Sequence, residues 1–226
     1  MKNKLFWCTI IITTLAFMSF SAVQKKKRLI FFGDSITQAA VKPRGYINQL
    51  DSMLEKQGLK NNYELIGSGI SANKVYDLYL RLDDDVLSKT PDIVVIYIGV
   101  NDVWHKTSLG TGTDYDKFGK FYEAIVKKLR AANIQPVLCT PAVIGERTDN
   151  SNQQDGDLNL YSSWIREFAK KNDLPLVDLR KTFIDYNLQY NKSNQEKGIL
   201  TTDRVHLNDK GNEVVANEMW KAIEKL

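Results

Sequence analysis

The chain has 226 residues, 43% of them apolar and 26% charged, with a formal net charge of +4. These figures suit one soluble globular domain of moderate size. Two of the basic residues, Lys2 and Lys4, belong to a leader segment and the rest form no stripe, which excludes the field of a nucleic-acid binder, so no nucleic-acid partner is expected.

The chain opens like a secretory signal. Lys2 and Lys4 form a short basic region, residues 5–20 are mostly apolar, and Ser19, Ser21 and Ala22 supply small residues for cleavage. A signal over residues 1–22 and a single mature domain over 23–226 are expected. A signal anchor is the alternative, because the apolar stretch is about the minimum length that spans a bilayer. Cys8 lies too early, and among the wrong neighbours, for a lipid-modified cysteine at a cleavage site. After cleavage only Cys139 remains, so no intrachain disulfide forms. Cys139 follows Val137 and Leu138 in a strand-like run and reads as a buried core thiol. Export to a periplasm or the cell exterior is expected, with no stable membrane insertion once the signal is cleaved. The basic run 25–28 reads as a solvated lead-in.

The mature part alternates. Residues 29–32 are apolar and run into Gly33, Asp34 and Ser35, which reads as a buried strand ending in a tight turn with a serine at its tip. Residues 45–57 are helical, with Tyr46, Ile47, Leu50 and Leu54 on one face and Gly58 as a stop. A short strand covers 63–66. Ser71 can cap a helix over about 72–88, striped by Val75, Leu78, Tyr79, Leu82 and Val86. Pro91 and Asp92 open 93–98, the most apolar run of the mature chain and the best candidate for a central parallel strand. A polar loop with Gly110 and Gly112 follows, then a helix over 115–131, a strand over 136–140 and a loop over 141–156 rich in Asn, Gln and Asp. Residues 158–171 are helical, 175–177 form the last strand, and 179–197 are helical or irregular. A loop ending at 203–206 leads to the closing helix, 209–226. Five strands separated by helices, without repeats or linkers, imply one doubly wound α/β domain: a parallel sheet covered by helices on both faces.

Chemistry in such a fold belongs just after the strands, on the carboxyl edge of the sheet. Four segments meet that condition: 33–35, 67–73, 99–102 and 203–206. Together they hold a serine, turn glycines, an asparagine and an Asp/His pair, the parts for nucleophilic acyl transfer. A serine hydroxyl is a weak nucleophile until a base takes its proton. The base is usually a histidine held in one tautomer by a carboxylate. The developing oxyanion needs preorganised N–H donors, and a side-chain amide can be one. The plainer reading of the first segment is that Ser35 or Asp34 caps the next helix.

Histidine is scarce. The base is His105 or His206, and both sit in a D-x-x-H spacing, Asp102 to His105 and Asp203 to His206. Spacing alone does not choose between them. The loop of His206 begins the last helix, far along the chain, where it can fold back over the first strand. His105 shares a loop with Asn101, and if Asn101 points at the oxyanion then His105 lines the substrate cleft. Two histidines and one mature cysteine form no recognisable zinc set, so no metal is expected.

Gly33-Asp34-Ser35, Gly99-x-Asn101-Asp102 and Asp203-x-x-His206, in that order and spanning nearly the whole mature chain, resemble the blocks of the SGNH (GDSL-type) esterases and lipases. The resemblance implies a three-layer α/β/α sandwich around a five-stranded parallel sheet of flavodoxin-like strand order. It implies Ser35 as nucleophile, His206 as base and Asp203 as its orienting carboxylate, with no cofactor. The oxyanion hole would take the Asn101 side-chain amide and the Ser35 backbone N–H. The family's second block carries a glycine whose N–H completes the hole. Aligning Ile70 and Ser71 with that block puts Ala72 at the glycine position, with Gly69 as the fallback donor. A backbone N–H survives Gly→Ala, so Ala72 can donate, but it is strained if its φ is positive. With Asp203 orienting His206, Asp34 would fix the turn by bonding nearby backbone N–H groups. The G-x-S-x-G elbow of the α/β-hydrolases is absent.

Near the site Asp34, Arg44, Trp104 and His105 mix charged and aromatic groups, and aromatic faces with polar neighbours suit a sugar. No apolar lid suggests long acyl chains. By analogy with exported relatives of this size, the expected substrate is a short-chain, O-acetyl ester on a small molecule or carbohydrate. Lysophospholipase, thioesterase or acyltransferase activity with the same residues, or a non-catalytic carbohydrate-binding relative, are the alternatives. No oligomeric state follows.

Overall fold

The computed structural model describes residues 25–226. The expected signal over 1–22, Cys8 included, lies outside the described residues.

Strand β1, Lys27–Gly33, starts charged and becomes fully buried from Leu29 onward. Its neighbours are β2, Tyr63–Gly69, and β3, Ile93–Tyr97; β4, Gln135–Cys139, and β5, Leu176–Val177, complete a parallel sheet of order β2-β1-β3-β4-β5. This is the flavodoxin-like order, with its switch point between β1 and β3, where ligands bind at the carboxyl ends. Register makes those ends level, since Gly33 pairs with Gly69 on one side and with Tyr97 on the other. Every residue of β3 is buried, as an apolar run covered on both faces must be.

Among the described residues eight α-helices connect and close the sheet: α1, Ser35–Ala39; α2, Tyr46–Lys56; α3, Val75–Asp85; α4, Val100–Ser108; α5, Tyr115–Ala131; α6, Asp155–Lys171; α7, Leu179–Tyr190; and α8, Asp209–Ile223. Because parallel crossovers are right-handed, α2 lies on one face with α8, and α3 lies on the other with α5. Helices α5 and α6 approach closely at Gly119, where a Cβ would meet the Trp164 ring at 2.8 Å. Phe118, Tyr122 and Tyr161 fill the seam around that ring. Cys139 is fully buried at the end of β4, and burial pushes its thiol far above the ordinary range.

Three segments differ from the sequence reading. The polar loop expected after the third strand begins as helix α4, so Asn101 and His105 share a helix rather than a loop. Only Val100 and Val103 anchor α4 by apolar burial, too short a stripe to show as a periodicity. Ser71 does not cap the second long helix: Lys74 is the N-cap residue, and the Asp77 side chain accepts its backbone N–H at 2.8 Å. Residues 70–74 are thereby left as a loop on the carboxyl edge. Strand β2 also continues through Gly67, Ser68 and Gly69, which the sequence reading set beyond it.

Candidate active site

The serine's mount is built from close backbone packing. A Cβ on Gly33 would stand 2.4 Å from the Tyr97 carbonyl and 2.3 Å from the Thr37 hydroxyl, so only glycine fits there. The chain then enters α1, capped by Asp34, whose Oδ1 accepts the Ile36 N–H at 2.9 Å. Across the sheet edge, a Cβ on Gly69 would lie 2.1 Å from the Gln38 nitrogen and 2.6 Å from the Asp34 carbonyl. Gly69 is where β2 meets the α1 backbone, which gives its glycine a packing reason.

The 203–206 segment folds on itself before it reaches Ser35. Asp203 Oδ1 accepts the N–H groups of Val205 at 3.1 Å and His206 at 2.8 Å, and Thr202 N–H bonds back to the His206 carbonyl. These bonds leave Asp203 Oδ2 facing His206 Nδ1 at 2.7 Å, and His206 Nε2 stands 2.9 Å from Ser35 Oγ. Burial would raise the Asp203 carboxyl, but the hydrogen bonds from the His206 backbone and ring and from Val205 outweigh it and hold it below its ordinary value. An ionised Asp203 only accepts, so Nδ1 carries the ring proton and the Nε2 lone pair faces the Ser35 hydroxyl.

Sequence reasoning missed the anchor beneath this loop. Glu146 is 1% exposed, and its two oxygens accept the N–H groups of Ile199 at 2.8 Å and Leu200 at 2.6 Å. The Gly145 N–H bonds to the Arg204 carbonyl at 2.9 Å. The only signal was a lone carboxylate one glycine past the apolar run 142–144.

The other wall comes from α4 and the 70–74 loop. Asn101, 2% exposed, donates one amide hydrogen to the Asn73 carbonyl at 3.1 Å, which leaves its second hydrogen free to meet a ligand. Asp102 is wholly buried and takes the Val75 N–H at 3.1 Å; burial pushes its carboxyl up to about 6. His105 does not reach Ser35. It is 7% exposed, its Nδ1 has no partner among the described residues, and burial followed by the nearby Lys74 ammonium lowers its pKa. The Trp104 ring lies 5.6 Å from the His105 ring.

Ala72 has φ +64°, the condition under which alanine is strained. A left-handed conformation costs a residue with a Cβ about 1–2 kcal/mol. Ala72→Gly should therefore raise stability by up to about 1 kcal/mol, after the extra entropy that glycine gives the unfolded chain is subtracted. Urea unfolding of both forms would check this, and a destabilised glycine variant would refute it.

Two residues expected beside the substrate are engaged by other groups. Arg44 is bound by Asp209 in the first turn of α8, with most of its side chain in solvent. Asp34 is 2% exposed and caps α1, so it is enclosed rather than presented to a ligand. Burial, with the Asp102 carboxylate adding to it, pushes Asp34 up from 3.8 to about 7. Between those values the folded chain holds a proton that the unfolded chain has released. Asp34 therefore favours the fold at acid pH, and that contribution is lost as pH rises through about 7. Asp34→Asn keeps an acceptor for Ile36 and removes the titration. Its unfolding free energy should fall less than that of the wild type between about pH 4 and pH 8, by up to about 1.4 kcal/mol per pH unit. Urea titrations at several pH values would show it, and parallel curves would rule it out.

Among the described residues no group of three or more His, Cys, Asp or Glu side chains could hold a metal ion, and no helix is long and apolar enough to cross a membrane.

Residues 31–214 match the model of the GDSL-like Lipase/Acylhydrolase family. A crystal structure of an acetyl xylan esterase, AlAXEase, superposes with a TM-score of 0.86 at 60% identity, covering 87% of this chain and 99% of that one. An acetylxylan esterase of Geobacillus stearothermophilus is 26% identical over 216 residues, 87% of this chain and 94% of that protein. An uncharacterized lipoprotein of Bacillus subtilis (strain 168), YqeF, is 24% identical over 212 residues, 83% of this chain and 85% of that protein. With the family blocks set along the carboxyl edge of a flavodoxin-like sheet, the chain belongs to the GDSL-like lipase/acylhydrolase, or SGNH, family of carboxylic ester hydrolases.

Proposed function

We propose that the protein removes O-acetyl groups from a carbohydrate through an acyl-enzyme on Ser35. The observation that carries the mechanism is the unbroken relay from Asp203 through His206 to Ser35, at 2.7 and 2.9 Å. Ser35 Oγ attacks the ester carbonyl as His206 Nε2 takes its proton. The C–O bond to the sugar then breaks, and the imidazolium returns that proton to the leaving alcohol. Water, deprotonated by the same nitrogen, attacks the acetyl-serine; the acyl–Oγ bond breaks, Ser35 Oγ takes the proton back from the imidazolium, and acetate leaves. Ionised Asp203 stabilises the imidazolium in between. Asn101, with the backbone N–H groups of Ser35 and Ala72, holds the oxyanion, each donor being aimed before the charge appears.

The choice of acetyl and of a sugar is supported by the two acetylxylan esterases to which the chain is similar. Trp104, next to His105 on α4, supplies an aromatic surface near Asn101 that suits a sugar ring. The basic-then-apolar leader and the similarity to a lipoprotein support export.

The test is a rate series over p-nitrophenyl esters from acetyl to octanoyl, together with acetate release from acetylated xylan. Acetyl esters should be fastest and xylan should release acetate. Preference for octanoyl with no release from xylan would overturn the substrate assignment while leaving the serine mechanism in place.

A further inference from the structure

One cation organises this edge of the sheet without touching the relay. Arg81, on α3, has a side chain only 14% exposed. Its Nε donates to Asn73 Oδ1 at 2.7 Å, and its Nη2 donates to the carbonyls of Gly33 at 2.8 Å and Ser68 at 3.0 Å. Nη1 donates to Ser68 Oγ at 3.0 Å and to Asp85, one turn along the same helix, at 2.5 Å. The guanidinium also lies 4.4 Å from the centre of the Phe32 ring. A planar fork with five donors can serve all of these acceptors together, and a lysine ammonium cannot.

What the fork holds is the surroundings of the oxyanion donors. Gly33 is two residues before Ser35. Asn73 directly follows Ala72, and its backbone carbonyl is the acceptor for the Asn101 amide. Asn73 is thus gripped twice: its side chain by Arg81, and its carbonyl by Asn101. Elsewhere the loop is held by the Ser71 N–H on Gln38 Oε1 at 3.1 Å and by Lys74 Nζ on the Ala72 carbonyl at 3.2 Å, whereas the remaining bond at Asn73 itself, its N–H to the Ile70 carbonyl, is long, at 3.3 Å.

We propose that Arg81 is a positioning residue for the oxyanion hole, aiming the Asn101 amide through Asn73 and locking it to the strand end that carries Ser35. This rests on the reading of Asn101 as an oxyanion donor. If the amide is mis-aimed, substrate still binds but the tetrahedral intermediate loses a donor, so the loss should fall on kcat rather than on KM. An arginine that merely tied β1 to β2 would act independently of Asn101.

The experiment is a mutant cycle on p-nitrophenyl acetate hydrolysis with Arg81→Gln, Asn73→Ala and Asn101→Ala. Asn73→Ala keeps every strand contact of Arg81 and the backbone carbonyl at 73, so it tests the link even if Arg81→Gln fails to fold. In the otherwise wild-type chain, Asn73→Ala should lower kcat by about 10-fold and Arg81→Gln by about 10–100-fold, with KM within about twofold. In the Asn101→Ala background each should cost less than about threefold, because the group they aim is gone. Losses of equal size in both backgrounds, or an unchanged kcat in folded Asn73→Ala, would overturn the proposal while leaving Asn101 as a donor. An unchanged kcat in Asn101→Ala alone would instead remove the oxyanion reading, and this proposal with it.

Discussion

Ser35→Ala should lower kcat for p-nitrophenyl acetate by at least ~10⁴-fold, with the melting temperature almost unmoved. The hydroxyl is what His206 Nε2 faces at 2.9 Å, and no other hydroxyl is hydrogen-bonded to that nitrogen among the described residues. In the proposed mechanism that oxygen is the bond-forming atom, so its removal closes the acyl-enzyme path. The fold should not notice, for two reasons. Helix α1 is capped by Asp34, not by Ser35. Alanine is also the best helix former, at a position that is the first helical residue. Residual catalysis would come from the oxyanion donors acting on bound water. Ser35 and His206 act as one unit, so adding Ser35→Ala to His206→Ala should cost little more. A fluorophosphonate should label the wild type and not the variant. Hydrolysis at the wild-type rate by purified Ser35→Ala would refute the mechanism outright.

Asn101→Ala should lower kcat by on the order of 100–1,000-fold, the equivalent of about 3–4 kcal/mol of barrier, with a much smaller effect on KM. The amide sits on the first turn of α4, 2% exposed, with one hydrogen already given to Asn73. The second hydrogen gains most when the carbonyl oxygen becomes an anion, which is why the loss should fall on the chemical step. The fold should lose about 1 kcal/mol for the missing bond to Asn73, enough to see in a melting curve and too little to explain the rate. Asn101→Asp separates the roles further. It is nearly isosteric but presents acceptors to both the Asn73 carbonyl and the oxyanion, so it should be at least as slow. A kcat within threefold of wild type for either variant would move the oxyanion hole elsewhere.

Much of this architecture was legible from local pattern. The runs at 29–32 and 93–97 are apolar throughout, and a strand buried on both faces has to be, so periodicity and burial agree. The stripes of α2 and α5 mark long helices for the same reason. Helix α4 was hidden because Asn101, Asp102, His105 and Lys106 read as loop composition, and two buried valines make too little of a stripe. The Ser71 cap was misplaced because a serine before an apolar stripe is a good signal, yet the Asp77 carboxylate three residues after Lys74 set the start instead. Arg81 drew no attention in the sequence, lying off the apolar stripe of its helix. Nothing local distinguishes an arginine in water from one turned toward four backbone and side-chain acceptors outside its own helix. Glu146 was hidden likewise, its partners Ile199 and Leu200 lying more than fifty residues away.

The sequence by itself determined the parallel α/β architecture, the order of the segments on the carboxyl edge and the residue types available there, because each depends on patterns within a few turns of chain. Two identical D-x-x-H spacings cannot be told apart locally, and it took the family resemblance to single out His206; the contact itself, between residues 171 positions apart, is made only by the tertiary structure. The positive φ of Ala72, the burial of Asp34 and the pairing of Arg44 with Asp209 belong to the same class. Each is set by how the sheet register and helix packing bring distant segments together, and that information lies in contacts between segments rather than in any one of them.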